Sequence, residues 1–483
     1  MAERPVVSSG VTVYDFVMGQ NFLPDTVNQT LLFPPSLHDW VPEGHLARFV
    51  VDVVSALDLE AIYASYREKD GRGQSAYAPE MMVRLLLYGY ATGVYSSRKI
   101  ETRSYEDVAF RYLAGDQHPD HATLAEFRKR HLTALAGLFT QALLLCAKAG
   151  LVKLGHVAID GTKIKANASK HKAMSYKRMT ETEARLEQEI KELLRQAEET
   201  EAAEDAQYGK KRRGDELPEE LSRRESRLQK IREAKQALED EAREKAEHER
   251  AEAEKKLAER EEEEQRTGKK KRGRKPDPTD PDQARPADKA QRNFTDPESR
   301  IMPDGANKGS FVQGYNAQIA VDSASQVIVA AEVTQSSTDS KQLAPMLAQI
   351  AMNLEQKPGK ASADAGYFSE ANVTDAAVTG IDLYIATGRD KHGDPTETAT
   401  GEAPAGATPR EQMRHKLRTE AGRAVYKMRK AIVEPVFGQI KERRGFRRFS
   451  LRGKQNVGRE WRLVCAVSNL LKLFRSGWML QTT

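Results

Sequence analysis

The stretch "HVAIDGTKIKANAS" at residues 156–169 changes abruptly from apolar to polar and basic character. Val157 and Ile159 alternate as they would in a buried strand, and Asp160 follows them directly. Gly161 then allows the backbone to turn sharply. We therefore expect a strand that ends at Asp160 and holds its carboxylate on a rigid element.

Two further carboxylates lie in similarly suggestive places. Asp364 follows a second short strand in "ASADAGY", and Glu434 lies in the basic stretch "KAIVEPVFGQIKERRG". Mg²⁺ prefers oxygen ligands of this kind. Three carboxylates on two strand ends and one helix suit a two-metal site, in which ions roughly 3.5–4 Å apart stabilise the attacking and leaving oxygens of phosphoryl transfer.

Each of these residues also has an ordinary structural interpretation. An Asp-Gly pair after a strand is most often a turn, and a glutamate on a helix most often pairs with neighbouring charges. Their placement in one series of strands, followed by a strongly basic helix, favours the joint catalytic interpretation.

The composition bounds the class of protein. A chain of 483 residues with 39% hydrophobic and 30% charged residues predicts two or three domains with reasonable cores. Cys146 and Cys465 lie in apolar stretches, which indicates buried thiols and excludes a disulfide framework or a cysteine zinc site. Since neither a signal peptide nor a membrane span is recognisable, we expect a cytoplasmic protein without a membrane partner.

Three regions differ in composition. Residues 1–154 predict a helical N-terminal domain, and residues 172–294 a charged helical insertion with a basic linker. Residues 155–171 and 295–475 predict one α/β domain that the insertion interrupts. In that domain we expect strands at 314–322, 326–335, 360–369 and 381–387, a helix at 340–356, and a long basic helix at about 416–443.

The insertion has two leucine stripes, which predict an antiparallel helical hairpin. After Ala242 the second stripe fades, and a single charged helix and partial disorder are equal alternatives. The favoured interpretation is a solvated hairpin that acts as a spacer. The alternative is that its leucines pack against each other or against a second subunit, with the basic stretches "GKKRRG" and "GKKKRGRK" as candidate DNA contacts outside the active site. The stripes consist of Leu186, Ile190, Leu193 and Ala197, and of Leu221, Leu228, Ile231 and Leu238.

The sequence resembles bacterial insertion-sequence transposases of the DDE class. "MMVRLLLYGYATGVYSSRKIE" and "DVAFRYLAGDQHPDHATLAEFRKRH" are similar to their helical N-terminal domain, while "AIDGTKIKANAS", "GYNAQIAVD", "ADAGYFS" and "VEPVFGQIKERRGFRRFSLRG" are similar to their catalytic half. The resemblance implies an α/β ribonuclease-H-like domain with a mixed sheet, interrupted by the charged helical insertion and preceded by an all-α domain that recognises DNA ends.

The resemblance also implies roles for individual residues. Asp160, Asp364 and Glu434 would be the catalytic triad and would bind two Mg²⁺ or Mn²⁺ ions. Relatives carry a Tyr-Arg-Glu-Lys signature that contacts DNA. Lys441 lies at the expected distance after Glu434, whereas Tyr426 and Arg429 lie one residue farther upstream than is common.

Positive charge is concentrated after Glu434. The net charge is +5, but residues 410–462 alone hold 17 Lys and Arg against five Glu. Such a surface is either a clamp for DNA phosphates or a solvated basic face. Lys163 and Lys165, after Asp160, are also placed where phosphates could approach. The expected phosphate contacts after Glu434 are Arg443, Arg444, Arg447, Arg448, Arg452 and Lys454.

The function implied is transposition of an insertion sequence. The enzyme would bind terminal inverted repeats, cleave at the element ends and join the 3′-hydroxyl ends to target DNA. Its partner would be double-stranded DNA, with no small-molecule substrate, and a homodimer would hold the paired ends. The alternatives are a non-catalytic DNA-binding regulator and a metal-dependent nuclease of the same fold.

Overall fold

The computed structural model describes most of the chain. The candidate DNA contact "GKKRRG" lies outside the described residues, and so does most of "GKKKRGRK". The described residues are 36–67, 75–208, 219–268, 280–304, 309–388 and 398–478, together with Gly273, Lys275 and Pro278.

The N-terminal region is helical, as predicted. Local signals set the helix boundaries: Pro79 starts the fourth helix and Gly93 ends it in the left-handed conformation, while Asp107 and Asp120 cap the sixth and seventh. The helices are α1 (Leu37–Trp40), α2 (Leu46–Ser55), α3 (Glu60–Arg67), α4 (Pro79–Thr92), α5 (Ser97–Glu106), α6 (Val108–Ala114), α7 (His121–Arg130) and α8 (Leu132–Lys148).

A mixed sheet follows, and it confirms the predicted α/β class. The main sheet has the order β4-β5-β1-β7-β8, and β6 pairs with β5 beside β4. β1 runs parallel to β7 and antiparallel to β5, while β2 and β3 form a separate two-stranded ladder. The strands are β1 (His156–Lys165), β2 (Ala173–Ser175), β3 (Gln291–Asn293), β4 (Arg300–Pro303), β5 (Phe311–Asp322), β6 (Ile328–Thr334), β7 (Lys360–Ala363) and β8 (Asp382–Ile385).

The first strand differs from the prediction. It does not end at Asp160 but continues to Lys165. The reason is its partner β5, which pairs with every residue from Val157 to Lys165 and so keeps the backbone extended through Gly161. Asp160 therefore projects from the middle of a strand.

The insertion is the expected helical hairpin. α9 (Tyr176–Tyr208) and α10 (Glu219–Thr267) pack against each other through an apolar cluster separate from the main core. Arg232 pairs with Glu183 at 3.1 Å across the hairpin. Beyond Ala242, α10 continues as one helix, which decides between the two alternatives. Leu193 is only half-buried, and the cluster consists of Met179, Leu186, Leu228, Ile231, Ala234 and Leu238.

The long basic helix expected at 416–443 consists of several elements. Thr419 ends one helix and caps the next, and a π-helical turn, Gln439–Arg443, follows. The basic segment, residues 443–454, then leads into the C-terminal helix. The remaining helices are α11 (Leu343–Leu354), α12 (Glu370–Thr374), α13 (Pro409–Arg418), α14 (Glu420–Gly438) and α15 (Lys454–Arg475).

The helical and α/β regions share one core. α8 packs along α15, and a single apolar cluster runs from the N-terminal helices through the sheet. Cys146 of α8 and Cys465 of α15 are both buried, free thiols in this core. No single helix among the described residues is long and apolar enough to cross a membrane. Taken together, α7 and α8 would reach that length and apolar composition, but they are bent by 70° relative to each other.

Glu460 ties three elements together. This fully buried carboxylate of α15 accepts hydrogen bonds from the backbone N–H groups of Ser450 and Leu451, at 3.0 and 3.1 Å, and from the Tyr90 hydroxyl of α4 at 3.5 Å. It thereby fixes the basic segment between the sheet and the N-terminal helices.

Replacing Glu460 tests this tie. A buried N–H without an acceptor costs about 1–3 kcal/mol, so Glu460→Ala should lower the free energy of unfolding in urea by about 3 kcal/mol. Glu460→Gln keeps a carbonyl acceptor and should cost less. Glu370→Ala, at an exposed site, is the control and should change stability by less than about 0.5 kcal/mol. A Glu460→Ala variant as stable as wild type would contradict the account.

The insertion should be removable. Ser175 and Gln291 form the last pair of the β2–β3 ladder, so an Asn-Gly turn in place of residues 176–290 closes it as a hairpin. Because the hairpin's cluster is separate from the main core, we expect cooperative thermal unfolding of the shortened chain. The full chain with Ile231→Ala, which loosens only the hairpin, is the control. A shortened chain without a cooperative transition would refute this independence.

Candidate active site

Asp160 and Asp364 lie side by side because β1 and β7 are parallel neighbours. The register pairs His156 with Lys360 and Ala158 with Ser362. Continued by the same step, it places Asp364, the first residue after β7, beside Asp160. The two side chains are only partly exposed. We refer to them as the aspartate pair.

The surroundings of Asp160 make its ionisation costly. The pKa of Asp160 is raised to about 6, mainly by burial and in smaller part by the negative charge of Asp364, while Arg429 and the Gly161 N–H act in the opposite direction. The Arg429 guanidinium lies 3.4 Å from Asp160 Oδ2, and the Gly161 N–H donates to Asp160 Oδ1 at 2.8 Å. Asp160 is thus a carboxylate that a further positive charge would keep ionised.

Helix α14 presents its signature residues on different faces. Arg429 is buried against Asp160, and Tyr426, with the Arg429 guanidinium 5.9 Å from its ring, is half-buried. Glu434 is exposed. Since an α-helix turns about 100° per residue, the five residues from Arg429 to Glu434 place the two side chains about 140° apart. The interval between Arg429 and Glu434 is one residue longer than is common in the signature. This extra residue turns Glu434 away from the helix face that contacts Asp160.

The helix is anchored at the proline that follows Glu434. Pro435 lacks the N–H that would bond the carbonyl of Ala431. The side chain of Gln326, from the β5–β6 turn, donates to that carbonyl at 2.9 Å instead. This contact fixes α14 against one end of the sheet.

The aspartate pair offers the donor type that hard divalent cations take. Carboxylate oxygens suit Mg²⁺ and Mn²⁺, and both side chains are reachable from solvent. Within the described ranges, however, no three His, Cys, Asp or Glu side chains are grouped so that they could hold one metal ion. The pair fits a metal, while Glu434 as a third ligand remains a prediction.

A third aspartate lies close to the pair, and the sequence analysis missed it. Asp339, in the loop between β6 and α11, raises the pKa of Asp160 by its charge. Its Oδ2 atom lies 3.6 Å from the position that a Cβ atom on Gly366 would occupy. A signal existed, because β6 runs parallel to β1 and β7 and must end at the same edge. In "SSTDSKQL", however, Asp339 has the pattern of a residue before a helix.

Lys441 reaches the same part of β1. Its ammonium donates to the Thr162 hydroxyl at 2.9 Å, two residues after Asp160 on the same face of the strand. Beyond it, the chain pairs with the end of β1: Lys165 N–H donates to the Arg447 carbonyl at 3.2 Å, and Phe449 N–H to the Lys165 carbonyl at 2.9 Å. The basic segment is therefore held beside the strand that carries Asp160.

The basic segment, residues 443–454, is divided between inside and outside. Phe446 and Phe449 are buried against Trp461, and this anchors the segment in the core. Arg444 is also buried and donates to the Ser468 hydroxyl, so the structure places it in the interior and not on the predicted phosphate-binding surface. Those exposed as expected are Arg443, Arg447, Arg448, Arg452 and Lys454.

Comparison with known families agrees with this architecture. Residues 35–130 match the family described as Transposase domain (DUF772), and residues 281–470 match the Transposase DDE domain. Together the matches cover more than half of the chain. No curated protein and no solved structure matches it.

The helical region and the mixed sheet are thus those of a transposase with a ribonuclease-H-like DDE domain. The chain belongs to the DDE transposases of insertion sequences. It is an enzyme of a class that cleaves DNA and transfers strands.

Gly161 should be intolerant of any side chain. An added Cβ would lie 2.8 Å from Asn316 Oδ1 and 2.9 Å from Asp339 Oδ1, and closer still to the Gln318 amide. We expect Gly161→Ala to lower the free energy of unfolding by about 1–3 kcal/mol, as overpacking does.

The control for this prediction is Gly137→Ala in α8, where the added methyl meets no atom within 4 Å. That variant should gain about 0.5–1 kcal/mol, the difference in helix propensity. Urea unfolding of both variants measures the effect. Equal stability of the two variants would show that the space beside Gly161 is not constrained.

Proposed function

We propose that the chain binds the terminal inverted repeats of its own element, cleaves at the element ends and joins the freed 3′-hydroxyls to target DNA. The observation that carries this proposal is the aspartate pair, held on neighbouring strands beside a strip of exposed arginines. The family supports transposition in general, and the following steps concern what these residues do.

The residues of the site would have different roles in the reaction. Asp160 and Asp364 would hold Mg²⁺ or Mn²⁺, with Glu434 as the third ligand. Bound there, two such ions supply a lowered pKa for a coordinated water and stabilise negative charge on the transferring phosphoryl group. For Glu434 to join the pair, α14 has to shift, because Arg429 now occupies Asp160 Oδ2. Arg429 would then be free to pair with a DNA phosphate.

The exposed basic residues would hold the DNA. Arg447 and Arg448 flank the end of β1, and Lys441 contacts the strand two residues beyond Asp160. Phosphates bound along this strip would lie next to the aspartate pair. Affinity from such contacts falls steeply with salt concentration.

Sequence recognition would come from the helical region. Arg98, Lys99 and Arg103 are exposed on α5, and Lys129 and Arg130 are exposed on α7, which packs against α5. A pair of packed helices with a basic outer surface suits a DNA groove. Each end needs one subunit, so a homodimer would hold both ends together.

The test is to neutralise the carboxylates one at a time. Asp160→Asn, Asp364→Asn and Glu434→Gln should each abolish Mg²⁺-dependent cleavage of the element's terminal DNA, because each removes a charged metal ligand. The affinity for the same DNA, measured by fluorescence anisotropy, should stay within about threefold, since phosphate contacts supply most of it. Glu402→Gln, at an exposed site away from β1 and β7, is the control and should cleave normally.

Other outcomes would favour the alternatives. Specific end binding by wild type without cleavage at any Mg²⁺ or Mn²⁺ concentration would indicate a regulator. Cleavage of any duplex without preference for the ends would indicate a nuclease. Full activity in any one of the three variants would remove that residue from the triad.

A further inference from the structure

Lys163 is a nearly buried cation among the carboxylates of the site. Its side chain is 17% exposed, and its Nζ lies 3.8 Å from Asp339 Oδ1. Burial lowers the pKa of Lys163, while the negative charges of Asp339, Asp160 and Asp364 raise it. The ammonium is therefore within electrostatic reach of all three aspartates.

Asp339 is held rigidly in its position. Its Oδ1 accepts hydrogen bonds from Asn316 Nδ2 at 2.6 Å and from Gln318 Nε2 at 2.7 Å. Both donors are buried residues of β5, and they lie opposite Lys163 and Gly161 in the β1–β5 register.

A buried tyrosine and two glycines complete the surroundings of Asp339. The buried Tyr367, three residues after Asp364, donates to the Gln318 side-chain carbonyl, which orients that amide toward Asp339. The absence of side chains at Gly161 and Gly366 leaves room for the two oxygens of Asp339. The carboxylate thus fits between the backbones that follow Asp160 and Asp364.

Stability alone does not account for this arrangement. A partly buried ion pair gains little, because the cost of removing both charges from water offsets their attraction. The distance of 3.8 Å is longer than a hydrogen bond, so Lys163 is held near Asp339 by charge while its three N–H donors remain suited to another acceptor.

A second observation concerns the buried polar group opposite Lys163. Asn316 is fully buried, and its Oδ1 has no hydrogen-bond partner among the described residues. The amide orientation is fixed, because Nδ2 donates to Asp339 Oδ1 and to the Ser336 carbonyl at 3.2 Å. Asn316 lies opposite Lys163 in the β1–β5 register, and an amide oxygen can only accept, so this atom suits a donor such as an ammonium or a water molecule and does not itself bind a phosphate oxygen.

We propose that Lys163 contacts a non-bridging oxygen of the scissile phosphodiester and that Asp339 is its positioning residue. This inference rests on the proposed function and adds a substrate contact to it. Negative charge grows on the phosphoryl oxygens in the transition state, and a preorganised cation stabilises it there. In this role Lys163 acts through its positive charge and transfers no proton.

The experiment uses the full chain with the element's terminal duplex and single-turnover conditions. Lys163→Gln should slow cleavage by about 10²–10³, the usual loss when one such donor is removed, while the affinity for DNA stays within about threefold. Lys163→Arg keeps the charge and should recover most of the rate. Asp339→Asn should slow cleavage by about tenfold, since the lysine remains but is no longer held. Lys170→Gln, an exposed lysine beyond β1, is the matched control and should cleave normally.

A modified substrate separates contact from indirect damage. One stereoisomer of a methylphosphonate at the scissile position removes the charge of the oxygen that Lys163 contacts. Wild type should be slowed strongly on that isomer, and Lys163→Gln should be slowed little further. Slowing by the same factor in both proteins with both isomers would overturn the contact, as would normal cleavage by Lys163→Gln. Failure of wild type to cleave the unmodified end would contradict the proposed function itself.

Discussion

The parallel pairing of β1 with β7 is the constraint on which the rest of the site depends. Only three residue pairs define it, and β7 ends at Ala363. Because β7 stops there, Asp364 is placed at the open edge beside Asp160, and the edge of β1 beyond it faces α14 and the basic segment. The antiparallel pairing of β1 with β5 keeps this edge straight as far as Lys165.

The same constraint explains why so many polar residues surround two short strands. β6 is parallel to β1, so its following loop brings Asp339 to the same edge. β5 supplies Asn316 and Gln318 on the face of Gly161. Charges from four separate stretches of chain thereby meet within one region, and Arg429 and Lys163 offset part of the negative charge of the three aspartates.

Much of this could be predicted from the sequence. Alternating apolar residues located the strands, and the leucine stripes located the hairpin, because both patterns reflect local periodicity. The predicted end of β1 at Asp160 was wrong. A glycine that leaves space for the side chains of a neighbouring strand cannot be told in sequence from a glycine that allows a turn. The burial of Arg444 was missed for a similar reason: its hydroxyl partner, Ser468, lies 24 residues away in sequence. Placing Asp339 at the site required the direction of β6 in the sheet, which is a property of the tertiary structure.

The division of the basic segment has a mechanical consequence. Phe446 and Phe449 hold it in the core, and Glu460 holds its backbone, so the exposed arginines project from a rigid support. A DNA strand bound to them would be positioned relative to Asp160 by the packing of the protein and not by flexible side chains alone. If these residues act as proposed, DNA binding and cleavage would be connected through the shared core of α8 and α15.

We propose that Asp160 and Asp364 together form the metal-binding centre. The most direct test of this proposal replaces Mg²⁺ by Fe²⁺ in the complex with the element's terminal DNA and maps where the resulting hydroxyl radicals cut the polypeptide. We predict cuts near Asp160 and near Asp364 that added Mg²⁺ suppresses. Cuts confined to other parts of the chain, or cuts at only one of the two aspartates, would contradict the account.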